Sequence, residues 1–83
     1  MTYGIIFSDH ALKQLKKLEK SVQERIISTL ERIKIRPQAH VTKLIGDHGY
    51  RLQVGDYRVM LDIDGGKLVI LVIKIAHRKK IYK

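Results

Sequence analysis

The alternation of apolar and polar positions predicts the elements in order. "TYGIIFS" (2–8) puts Tyr3, Ile5 and Phe7 on one side and reads as a short strand. Ser8 or Asp9 can then cap a helix. In "DHALKQLKKLEK", Ala11, Leu12, Leu15 and Leu18 recur at helical spacing, with Lys13, Lys16 and Lys17 facing out. Ser21 followed by Glu24 is a capping-box signal for a second helix, whose stripe is Val22, Ile26, Leu30 and Ile33. A break at Lys20–Ser21 makes the two an αα-hairpin. Pro37 stops the second helix, since it lacks an N–H and disfavours helix at Arg36.

Residues 38–48 read as a loop, with Val41, Leu44 and Ile45 expected against the core. Three strands follow, near 49–54, 57–63 and 67–75. Gly55-Asp56 is a two-residue hairpin turn of type II′ or I′, and Asp64-Gly65-Gly66 supplies the next turn. "KLVILVIKI" is apolar almost throughout and is expected to be central and covered on both faces. The order β-α-α-β-β-β predicts a single α+β domain over 1–83, two N-terminal helices packed on an antiparallel sheet.

The hairpin register follows from its turn: Val54 faces Tyr57, Gln53 faces Arg58, Leu52 faces Val59 and Arg51 faces Met60. Leu52, Val54, Tyr57, Val59 and Leu61 therefore share an apolar face, and Arg51, Gln53 and Arg58 share the other. Like charges near each other across strands destabilise a sheet unless something offsets them. A bound anion would do so; the alternative is solvated guanidinium heads on packed stems.

Charge strengthens the anion reading. Seventeen Lys and Arg against eight Asp and Glu give +9 in 83 residues, a field that attracts polyanions. There is no cysteine, hence no disulfide framework and no thiolate metal site. His10, His40 and His48 lack metal-ligand spacing, so no metal is expected. Asp62 and Asp64 flank a turn and read as turn formers. No apolar run approaches the ~20 residues of a membrane span, and the N-terminus lacks a signal-peptide pattern. A soluble cytoplasmic protein with no membrane partner is the expectation. The tail adds His77, Arg78, Lys79, Lys80 and Tyr82 beside the same sheet. Guanidiniums clamp phosphates with two bonds and a phenol ring stacks on a base, so this mixture suits RNA.

The layout, with "LEKSVQERI", "IRPQAHVTKLIGDHGYRLQVGDYRVMLDID" and "VIKIAHRKKIY", resembles the RelE toxins of the RelE/ParE superfamily over essentially the whole chain. "YRLQVGDYR" and "HRKKIY" are its most specific parts. The resemblance implies a ribosome-dependent messenger-RNA endonuclease held inactive by a RelB-type acidic antitoxin. It also implies the ribosomal A site, with its ribosomal RNA, and the message as partners. Arg58 would stabilise the phosphate, Arg78 would act at the leaving group, and Tyr82 would stack or orient. Arg51 and Gln53 stand where the family pattern has lysines.

Neither a guanidinium nor an amide exchanges a proton readily, so cleavage through the RNA 2′-OH is expected to rest on alignment and charge, with no cofactor. His77 is a further acid–base candidate; its other reading is a strand-end residue bonded to backbone. RNA contacts are assigned to Gln53, Lys79 and Lys80, and to Lys13, Lys16 and Lys17, for which a solvated helix face is the alternative. Two other functions fit the charge: a ParE-like inhibitor of DNA gyrase, and an RNA-binding module without catalysis.

Overall fold

The computed structural model describes residues 2–44 and 49–77. The chain runs β1 (Gly4–Phe7), α1 (Asp9–Lys16), α2 (Lys20–Arg32), a 3-10 turn at Pro37–Ala39, β2 (Thr42–Lys43), β3 (Tyr50–Val54), β4 (Tyr57–Asp64) and β5 (Val69–His77). The sheet has five strands in the order β1-β5-β4-β3-β2. The expected α+β layout holds, with two refinements. Thr42–Lys43 adds a short antiparallel strand to β3. β1 joins β5 in parallel, which makes the sheet mixed. Placing β1 at the edge lets the chain turn directly into α1.

Ser8 is the N-cap of α1: its Oγ accepts from the Ala11 N–H at 3.0 Å. Ala11 and Leu15 are buried, whereas Leu12 is exposed. The capping box expected at Ser21 and Glu24 is absent. α2 begins two residues after Leu18, with Glu19 as its N-cap and no side-chain cap bond. The amide of Gln23 instead donates to the Leu18 carbonyl at 2.8 Å, fastening the connection between the helices. Ile26, Leu30 and Ile33 are buried, and Val22 packs against them. α2 ends at Arg32, ahead of Pro37, which is itself buried.

Both helices lie on one side of the sheet, over Leu52, Val54, Val59, Leu61, Ile70, Val72 and Ile75. Val41 joins this core as expected; Ile45 lies outside the described residues. β5 is central but not covered on both faces. Ile70, Val72 and Ile75 point inward, while Leu71 and Ile73 are 37% and 40% exposed on the opposite face. β5 also starts later than expected: 65–68 form the turn. The Asp64 carboxylate shapes that turn by accepting from the Gly66 and Lys67 N–H groups, each at 3.0 Å.

Candidate functional site

The β3–β4 register is the one its turn dictates, from Val54 opposite Tyr57 to Arg51 opposite Met60. Gly55 has φ +58° and Asp56 has no positive φ, which matches a type II′ turn and not I′. A side chain at Gly55 would also meet the guanidinium of Arg25, 2.9 Å from its Cβ position. With that register, Leu52, Val54, Val59 and Leu61 are buried and Tyr57 packs at the core margin. Arg51, Gln53 and Arg58 alternate with these residues and so point to the face that carries no helix among the described residues.

The three are held differently. Arg58 is half-buried, with Nε shielded from solvent, so its fork emerges from a packed stem. Arg51 is half-buried and follows the Met60 row. Gln53 is exposed and its amide donates to the Gly55 carbonyl at 2.6 Å, which ties it to the hairpin turn. Diagonal neighbours across a strand pair lie about 7–8 Å apart, the relation between Arg51 and Arg58. Two guanidiniums at that spacing can share one phosphodiester.

β5 supplies a cation that alternation hides. Continuing inward from Ile70 and Val72, Lys74 would be buried, at heavy cost for an ammonium group. The β4–β5 register instead slips: Met60 faces Lys74, whereas Leu61 faces Val72. Ile73 is the extra residue of this β-bulge, so Ile73 and Lys74 both reach the open face. The bulge is fastened by α1 at two points. The Ser8 hydroxyl donates to the Ile73 carbonyl at 2.8 Å, and the Gln14 Oε1 accepts from the Ile75 N–H at 2.8 Å. Both groups lie where β1 no longer covers the edge of β5. The signal in the sequence was a lysine at core parity within "VILVIKI".

His77 ends the described part of β5 opposite Tyr57, on the core side of the sheet. The two rings meet edge to face, 5.0 Å apart at 86°. Lys13 and Lys16 are exposed on α1 and Lys17 is exposed at its C-cap; of the three, only Lys17 borders the cleft between α1 and the end of β5. Arg78, Lys79, Lys80 and Tyr82 lie outside the described residues, as does His48. Among the described residues no group of three His, Asp or Glu side chains could hold a metal ion. No described helix is long and apolar enough to cross a membrane.

Known proteins share this fold. Residues 5–82 match the family described as the ParE toxin of the type II toxin–antitoxin system parDE. The "mRNA interferase toxin RelE" of Escherichia coli K12 is 28% identical, over 96% of this chain and 87% of its own length. Among solved structures, a free-state arginine mutant of the E. coli RelE toxin is 27% identical with a TM-score of 0.81, covering 99% of this chain and 92% of that one. The archaeal RelE–RelB complex of Pyrococcus horikoshii matches with a TM-score of 0.78 at 26% identity, over 94% and 97% of the two chains. The toxin–antitoxin complex RelBE2 of Mycobacterium tuberculosis reaches a TM-score of 0.86 at 18% identity, over 94% and 100%, which speaks for the fold. By its match along 5–82 and by its RelE relatives, the chain belongs to the RelE/ParE family as a RelE-type toxin of type II toxin–antitoxin systems.

Proposed function

We propose that this toxin is an endoribonuclease that cuts messenger RNA on the translating ribosome through the RNA 2′-OH. The observation that carries the proposal is pleat parity: Arg51 and Arg58 stand on the one sheet face that the helices leave uncovered. Relatives named as messenger-RNA interferases support the reaction class.

In the reaction, the 2′-oxygen attacks phosphorus as its proton leaves. The bond from phosphorus to the 5′-oxygen breaks, and that oxygen takes up a proton. The products are a 2′,3′-cyclic phosphate and a 5′-hydroxyl. Arg58 and Arg51 stabilise the extra negative charge on the phosphorane, where preorganised donors are most effective. Arg78 is assigned to the leaving 5′-oxygen and Tyr82 to stacking on a base. His77 is the acid–base candidate of the sequence, but it meets the Tyr57 ring on the core side of the sheet, the face opposite Arg51 and Arg58. No metal ion is required, because guanidiniums supply the positive charge that a metal would otherwise bring.

The partners follow from charge. The ribosomal A site presents message and ribosomal RNA to the cationic face, and Lys13, Lys16, Lys17, Lys79 and Lys80 are assigned to phosphate contacts. A RelB-type acidic antitoxin neutralises the +9 domain by folding over it. Complexes of relatives with RelB antitoxins support this partner. The cytoplasm is the compartment where both partners reside.

The family description names ParE, and a gyrase inhibitor is the competing reading. Primer extension on cellular messages after induction separates the two. Cuts within translated frames, with chromosomal DNA intact, are expected. DNA breaks with uncut messages would establish the gyrase reading instead.

A further inference from the structure

The structure has an acidic cavity on the uncovered sheet face and a cationic cleft where α1 meets the free edge of β5, into which Met60 and Lys74 reach from the uncovered face. Toward the 64–69 turn, a small cavity of about 270 Å³ is bordered by Ile6, Leu71, the carboxylates of Asp62 and Asp64, and Lys67. Toward the hairpin tip, a larger cleft of about 810 Å³ opens between α1, β4 and β5. His10 and Lys17 line it from the helix side, Met60 and Lys74 from the sheet, and Tyr57 and His77 from its end. No carboxylate is among the described residues that line it.

We infer that this cleft is a second phosphate subsite, which seats the nucleotide next to the one that is cut. The inference rests on the ribonuclease reading and extends it to Lys74, which that reading does not use, and to a defined place for Lys17. Lys74 is the cation that joins this cleft to the hairpin face. The bulge turns it outward and α1 holds the bulge through Ser8 and Gln14, so the ammonium group has a fixed origin. Lys74 and Arg51 flank Met60 on either side, and Arg58 stands one diagonal step away. A phosphate on the hairpin arginines therefore has its chain neighbour within reach of Lys74. Lys17 approaches from the opposite wall, and the Tyr57 ring gives the base an aromatic edge. The volume is within the 300–1,000 Å³ usual for small-molecule sites and accommodates one nucleotide. The acidic end of the face repels the same backbone, so RNA is directed across the hairpin end, from the arginines into the cleft.

The test uses the full chain, labelled with nitrogen-15, and a six-residue 2′-O-methyl oligouridylate, which cannot be cut because its 2′-oxygen is blocked. Amide shifts are expected at Lys17, at 74–77 and at Arg58, with Asp62 and Asp64 unmoved. Each phosphate contact on a single strand contributes about 0.7 to the slope of log affinity against log salt. Lys74→Ala and Lys17→Ala should each lower the slope by about that amount. Lys67→Ala, which removes the same charge at the acidic end, should leave it unchanged. The inference is overturned if the Lys74 and Lys17 variants behave like Lys67→Ala. It is overturned equally if the wild-type cleft amides do not move at millimolar oligonucleotide. A slope lowered by Arg58→Ala alone would sink the subsite while leaving the ribonuclease reading standing. Ribosome-dependent cleavage judges that reading separately.

Discussion

Arg58 concentrates the chemistry of the proposed site. Its stem is packed and its Nε is shielded, so the guanidinium is placed before substrate arrives and little side-chain entropy remains to be lost. Removing one such donor from a developing charge typically costs about 10² to 10³ in rate. Arg58→Ala is therefore expected to slow ribosome-dependent cleavage by about that factor. Thermal unfolding should be little changed, because the neighbouring core residues Val59 and Leu61 are untouched. A variant that unfolds at much lower temperature would assign Arg58 to stability instead. Gln53 illustrates what sequence reasoning could not see: parity puts it on the face of Arg51 and Arg58, but one of its amide hydrogens is spent on a 2.6 Å bond to the Gly55 carbonyl.

Among the elements, the β3–β4 hairpin was legible from the sequence because a two-residue turn and an alternating strand leave one register. Every pair from Tyr50–Leu61 to Val54–Tyr57 follows from Gly55-Asp56. β5 was legible as central but not in its facing. An almost continuous apolar run hides both the bulge and the uncovered side, and only Lys74 at core parity betrays them. The parallel pairing of β1 was equally hidden, since a four-residue strand carries no mark of direction. The site's tail residues, Arg78 and Tyr82, rest on the family resemblance and lie outside the described part of the chain. The junction of α1 and β5 gives a stability prediction. Ser8 caps α1 and also donates to the Ile73 carbonyl, so one hydroxyl serves two elements. Ser8→Ala is expected to destabilise the domain by about 1–2 kcal/mol, read as a lower urea midpoint with unchanged slope. An unaltered midpoint would show that the cap and the bulge tie contribute nothing net.

Across the whole molecule, a net charge of +9 does not by itself select a function, because any polyanion would answer it. The distribution is more selective. Helices close one sheet face, the other is cationic toward the hairpin tip, and carboxylates mark its far end. That polarity suits an RNA strand laid across the hairpin end more than a diffuse counter-ion cloud. The most direct test is to translate a reporter message in vitro with the purified wild-type chain and to map the 5′ ends produced, with and without ribosomes. The account predicts new 5′-hydroxyl ends at fixed positions within the codons being read, dependent on ribosomes. An intact message in the presence of ribosomes and folded toxin would contradict it.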